Sequence, residues 1–185
     1  MTTTTEPPVQ ELNHVELVYA PGERSLAAAW FELLGLAVRD RGGPFLSARI
    51  EPTSADFANN CLYASEVTAE QWALEAALRA ATTDGDLAAP ARAYTDRVRA
   101  EPQRSFHFGI RCPSLEALEA AVDRIRHAAD HAPALVGRAT VSGVYRPGDP
   151  GAFTDTMVQA FVHTDVVASG LLTFGQHFEL QWQVP

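Results

Sequence analysis

Three side chains from distant stretches of the chain have the types and strand positions needed to hold a metal ion: His14 in LNHVELVY, His107 in SFHFGIRC and Glu179 in HFELQWQV. Each stretch alternates with the two-residue period of a strand. In the first, Val15, Leu17 and Tyr19 oppose His14, Glu16 and Val18. In the second, Phe106, Phe108, Ile110 and Cys112 oppose His107, Gly109 and Arg111. In the third, Phe178, Leu180, Trp182 and Val184 oppose His177, Glu179, Gln181 and Gln183. All three candidate donors therefore face away from the side that must pack. Two neutral imidazoles and one carboxylate form a facial set that leaves positions open on a divalent ion. That arrangement favours Fe(II), while Zn, Ni, Mn and Co accept the same donor types. A lone strand histidine is more often a hydrogen-bonded structural residue than a ligand, so the case rests on matched parity and on repetition.

The elements that must position these residues come in two matching sets. After the first strand, Pro21 and Gly22 make a turn, and Leu26, Trp30, Leu33 and Leu34 form the apolar stripe of a helix that Gly35 ends. After the second, Pro113 and Ser114 open a helix whose stripe is Leu115, Leu118, Val122 and Ile125. Its early acids and late bases suit the helix dipole. Strand-like stretches follow each helix: LAVRD, FLSARI and CLYAS, then ATVSGVY, VQAFVHTDVV and FELQWQV. The reading is an α+β chain of two tandem βαβββ modules, over 11–67 and 105–185, forming a curved mixed-sheet cup with helices on the outside. Residues 1–10 read as a flexible N-terminal tail. Residues 68–104 read as a helical connector, with Thr68 and Gln71 at capping-box spacing and Pro90 opening a shorter helix. A connector of that length could also cover part of a site.

Bulk properties narrow the function classes. The chain has 185 residues, 46% of them apolar and 20% charged, which is enough for a substantial core and does not suggest disorder. No apolar run is long enough to cross a bilayer, and MTTTTEPPVQ lacks the basic and apolar regions of a secretory signal, so a cytoplasmic location is expected. A net charge of −9 with no basic stripe argues against nucleic acid as a partner. Cys61 and Cys112 are expected to be reduced and without a role. No phosphate-cradling glycine loop, nucleophile elbow or Cys-x-x-Cys pair is present. His127 and His131 have helical metal-pair spacing but are expected at a solvent-exposed helix end.

LNHVELVYAPGERSLAAAWFELLGLAV resembles the opening of a vicinal oxygen chelate module, and SFHFGIRCPSLEALEAAVDRI resembles the opening of another. FGQHFELQW is similar to the Gly-x-x-x-Glu-Leu strand that closes such modules. The resemblance covers both modules but not the connector, and it assigns the family's carboxylate ligand to Glu179. Glyoxalase-like members add a fourth ligand from the closing strand of the first module, a position that falls on Tyr63 here. Glu66 has the opposite parity and reads as a cap or surface acid. Two histidines and one glutamate look more like extradiol dioxygenases than glyoxalase I. The resemblance thus implies an Fe(II) enzyme acting on a small oxygenated aromatic, with a glyoxalase-type lyase or isomerase and a metal-free, drug-binding protein of the bleomycin-resistance type as alternatives.

His177, on the face of Glu179, is then a candidate for orienting a ligand or moving a proton, as are His163 and Tyr63; a structural hydrogen bond is the competing reading for each. Arg111 could hold a substrate carboxylate, or be tied up in an ion pair with Asp165 or Glu16. The expected partner is a small molecule, and a cup closed within one chain or across a homodimer would use the same strands.

Overall fold

The computed structural model describes residues 12–54 and 59–184, and the tail expected over 1–10 lies outside them. The alternation at the start becomes β1 (His14–Tyr19), with Leu17 and Tyr19 buried and His14 and Glu16 exposed. Helix α1 (Arg24–Leu33) buries Ala27, Trp30, Phe31 and Leu33. It ends at Gly35, whose φ of +86° lets its N–H reach the Glu32 carbonyl while that of Leu36 reaches the Phe31 carbonyl. Strands β2 (Ala37–Arg39), β3 (Phe45–Arg49) and β4 (Cys61–Glu66) follow. They assemble in the order β2-β3-β4-β1, with β4 parallel to β1. Glu66 shares the register of Tyr19, on the helix side, and its Oε2 accepts the Gly22 N–H at 2.9 Å. It caps a turn, as its parity required.

The connector folds as α2 (Ala69–Thr83) and α3 (Ala88–Ala100). Thr68 caps α2 by accepting the Gln71 N–H at 3.2 Å. Helix α3 begins at Ala88 rather than at Pro90, which sits in the first turn where its missing N–H has no intrahelical acceptor to lose. The second module repeats the first: β5 (His107–Arg111), α4 (Leu115–Arg126) capped by the Ser114 hydroxyl, a single turn α5 (Ala128–His131), then β6 (Ala139–Tyr145) and β7 (Met157–Thr164).

The chain then departs from the expected single strand over VQAFVHTDVV. Thr164 Oγ1 accepts the Val166 N–H at 3.1 Å, which turns the backbone out of the sheet. The short β8 (Val167–Ala168) crosses to the first module and pairs antiparallel with the outer edge of β1, through Val18↔Ala168 and Tyr19↔Val167. Strand β9 (Gln176–Gln183) returns to close the second sheet in the order β5-β9-β7-β6, with β5 parallel to β9. The modules therefore share one topology, and the fold is α+β: two open mixed sheets, of five and four strands, form the cup.

Helices α1 and α4 cover the apolar faces of their own sheets and pack on each other, so one hydrophobic core runs through both modules. Trp30 of α1 meets Phe178 of β9 edge to face at 5.4 Å, and both are fully buried. Burial of such side chains contributes about 1.5–3 kcal/mol each. Arg138 adds a polar clamp, its guanidinium forked onto Glu23 at 2.6 and 3.0 Å while Nε reaches Asp165 at 2.8 Å. No described helix is long and apolar enough to cross a membrane.

Candidate functional site

The face of the second sheet turned away from α4 carries most of the polar side chains that the sequence singled out, arranged in rows by strand register. His107, His177, His163 and Thr140 occupy one row across β5, β9, β7 and β6. Gly109, Glu179 and Phe161 form the next, and Gly143 joins them beyond a bulge at Ser142. Arg111, Gln181, Gln159 and Tyr145 form the third. Register partners point to the same face with Cβ atoms about 5 Å apart, so these side chains are neighbours by construction.

His107 and Glu179 stand together. His107 Nε2 lies 3.4 Å from Glu179 Oε2, and its Nδ1 lies 2.8 Å from the Ser105 carbonyl oxygen. A carbonyl only accepts, so Nδ1 carries a proton and Nε2 is the ring nitrogen turned toward the carboxylate. Glu179 is 7% exposed, and its other oxygen accepts the Gln159 amide N–H at 2.6 Å. That bond fixes the orientation of the Gln159 amide and leaves Gln159 Oε1 buried without a partner. Imidazole nitrogen, carboxylate oxygen and orphaned amide oxygen together make a polar corner.

The neighbouring pair is chemically different. The rings of His163 and His177 lie 4.7 Å apart, Ser142 Oγ is 2.9 Å from His177 Nε2, and His163 Nε2 donates to the Phe174 carbonyl at 3.2 Å. Burial, together with the nearby His163 and His107, pushes His177 down to about 4, and burial also lowers His163. Both rings are thus neutral at physiological pH. They line a cavity of about 510 Å³ whose opposite wall is helix α3, through Tyr94, Val98 and Arg99. The connector does stand over part of this face.

The first module supplies the remaining predicted residues. His14 is exposed on β1 and meets the Tyr63 ring edge to face at 5.4 Å. It is not gathered with His107 and Glu179: among the described residues no three or more His, Cys, Asp or Glu side chains are grouped closely enough to hold one metal ion. His14 stands on β1 of the first sheet, whereas His107 and Glu179 stand on β5 and β9 of the second. The donor chemistry of His107 and Glu179 fits a divalent ion, with Nδ1–H bonded to a carbonyl as it commonly is in metal-ligating histidines. The described geometry supplies two donors of the expected three.

Arg111 is exposed and lines a different cavity, at the seam between the modules. Asp165, one of its two expected partners, is taken by Arg138. His127 and His131 are exposed as expected, and Cys61 and Cys112 are free thiols.

Three contributors to the site went unnoticed in the sequence. Gln159 shares the parity of Phe161 and His163 within MVQAFVHT, so the alternation that found His163 could have found it. Ser142 reaches His177 beside the bulge between Val141 and Gly143, and Gly143 within the strand-like ATVSGVY was the signal that could have found it. The Ser105 carbonyl is backbone and has no sequence signature.

No protein-family model matches the chain, and no curated protein matches it. Among solved structures it is similar to a hypothetical protein from S. aureus, with 9% identity, 97% of this chain and 96% of that chain covered, and a TM-score of 0.42. It is also similar to a protein from Bacillus cereus described as a possible glyoxalase, with 12% identity, 95% of this chain and all of that chain covered, and a TM-score of 0.38. Likenesses this remote say nothing about activity.

Proposed function

We propose that this chain is a vicinal oxygen chelate-type protein that takes a small, oxygen-bearing molecule on the polar face of its second sheet, with a divalent ion held by His107 and Glu179. The observation that carries the reading is the orientation of His107: its Nδ1–H is spent on the Ser105 carbonyl, so its Nε2 and the Glu179 carboxylate address the same point. Gln159 holds that carboxylate in place, and its own buried oxygen awaits a donor. Such an ion supplies charge stabilisation at adjacent substrate oxygens and, as Fe(II), the redox capacity for extradiol ring cleavage.

Within this reading the extradiol-type activity is preferred to a glyoxalase-type one. The first-module position that would furnish a fourth ligand is Tyr63, and Glu66 is bonded into a turn on the other face. The neutral His163–His177 pair, beside the Ser142 hydroxyl, would orient or relay a proton for a ligand in the adjoining cavity. A second reading, a metal-free binding protein, is favoured by the separation of His14 from the other two donors.

Metal titration by calorimetry under anaerobic conditions, with Fe(II) and Mn(II), separates the two. The metal reading expects about one ion per chain, bound at least tenfold more weakly after His107→Ala or Glu179→Gln. Oxygen uptake with a panel of catechols then tests the activity. Absence of binding by either ion sinks the metal reading, and a tenfold loss in His14→Ala would bring His14 into the donor set.

A further inference from the structure

Helix α3 roofs two adjoining hollows on the polar face of the second sheet, of about 510 and 330 Å³. Both are lined by Tyr94 and Val98 of α3, by Phe174 and Gly175 ahead of β9, and by His177. The chain segments that line them are all described. Tyr94 and Phe174, which meet edge to face at 5.4 Å, belong to both linings, so one ring pair stands where the hollows adjoin. Volumes of this size suit a small molecule.

The roof is loosely seated. No residue of α3 is fully buried, whereas α4 buries four on the other face of the same sheet. The half-buried stripe of α3 is Ala88, Ala91, Thr95 and Val98, whose short side chains cover the face without filling the space beneath. Tyr94 and Phe174 stay 49% and 39% exposed, two flat apolar rings left open above a polar floor.

The floor of the larger hollow is short of a hydrogen-bond donor rather than of a charge. His163 lines it, and its Nε2–H is spent on the Phe174 carbonyl. Burial lowers the His163 pKa, so above the ordinary histidine value the ring is neutral and its remaining nitrogen, Nδ1, only accepts. Arg138 and Asp165, also in the lining, answer each other, and Arg138 is forked onto Glu23 as well. Arg99 is exposed, where solvent screens its charge.

We propose that the space beneath α3 binds a neutral, planar aromatic molecule that carries an O–H or N–H donor. Its ring lies against Tyr94 and Phe174, and its donor bonds Nδ1 of His163. The inference rests on this face being the ligand side and not on the ion, because neither His107 nor Glu179 lines either hollow.

The test uses 4-ethylphenol and indole as probes, with 4-ethylanisole and 1-methylindole as the same bodies without the donor, followed by calorimetry and by the histidine ring resonances. At least one donor is expected to bind saturably with a dissociation constant below about 1 mM, and its methylated counterpart at least tenfold more weakly. The His163 ring signals should move on binding. His163→Phe is expected to abolish the preference for the donor. Val98→Phe, which fills the space both hollows share, should weaken binding at least tenfold without lowering the melting temperature. Tyr94→Ser removes a half-exposed ring and should weaken binding while leaving the fold intact, which keeps the site testable if Val98→Phe proves unstable. Added chelator should change nothing, so the outcome stays separate from that of the metal titration. The site is refuted by no saturable binding of either donor up to about 10 mM, by methylated probes binding as well as their parents, by undiminished affinity in Tyr94→Ser, or by loss of binding with chelator.

Discussion

Tyr63 and Glu179 occupy the same register position in the two modules: Tyr63 pairs with Glu16, two residues beyond His14, and Glu179 pairs with Gly109, two residues beyond His107. The duplicated frame therefore presents a phenol in one half where the other presents a carboxylate. The two halves have diverged chemically while keeping their topology. Glu179 is held by an amide and faces an imidazole, whereas Tyr63 sits between the His14 and Phe45 rings, edge to face at 5.4 and 5.1 Å.

The first prediction follows from that packing. Tyr63→Ala removes two ring contacts and a half-buried aromatic surface, and should lower stability by about 1–3 kcal/mol. A urea denaturation curve measures it, and a loss below about 0.5 kcal/mol would mean that the aromatic row adds nothing to the first sheet.

Among the described residues Glu75, on α2, is the charged residue buried most completely, at 0% exposure. Its carboxylate accepts the N–H groups of Leu172 and Thr173 at 2.6 and 2.9 Å, as well as the Thr173 hydroxyl, and so fastens the connector to the turn before β9. Burial alone would raise its pKa, but these donors outweigh burial and hold it below the ordinary carboxylate value. Glu75→Ala strands two backbone donors and should cost about 3 kcal/mol. Faster amide exchange at 172 and 173 is the local signature. Because the folded-state value is depressed, the contribution of Glu75 is complete above the unfolded value and fades as pH falls through the folded one. Glu75→Gln should therefore flatten the acid limb of the stability curve, and an unchanged limb would show that the carboxylate charge is not what binds the turn.

Arg24 grips Asp40 with Nε and Nη2 at 2.7 and 2.6 Å and also donates to the carbonyls of Gly43 and Phe45. The guanidinium, helped by the Gly42 N–H, holds the Asp40 carboxyl down to about 2. The stabilisation is fully present above the ordinary aspartate range and disappears as pH drops toward that value. Carboxyl chemical shifts followed by NMR should show Asp40 still ionised near pH 3, and returning to the ordinary range in Arg24→Ala. An ordinary midpoint in the unsubstituted protein would rule out the ion pair in solution.

Gly175 has φ at +67°, and a Cβ there would fall onto the Thr164 carbonyl oxygen and the His163 ring. Backbone strain and a clash with main-chain atoms act together, so Gly175→Ala should cost about 2–4 kcal/mol and displace His163. The melting temperature reports the first effect, and the histidine ring resonances report the second. A variant that melts with the parent protein would show that the turn before β9 can shift freely.

How much of this was legible beforehand can be judged residue by residue. The alternation around His14, His107 and Glu179 gave their strands and faces, because side-chain direction in a strand follows from parity alone. Gly35, Thr68 and Ser114 marked helix ends through local hydrogen-bond chemistry that needs no distant partner. The placing of Tyr63 at the position equivalent to that of Glu179 came from the family resemblance, because burial of one face fixes a strand's parity and leaves slips of two residues open.

The chain by itself thus determined two duplicated α+β modules and the side on which each polar residue stands, for these depend on contacts a few residues apart. Only the tertiary structure decided which of those residues meet. The escape of Val167 and Ala168 to the edge of β1, the Gln159 amide on Glu179 and the Ser142 hydroxyl beside His177 all bring together parts of the chain that no local pattern couples. Such meetings are set by how two apolar faces share one core, and periodicity does not encode that.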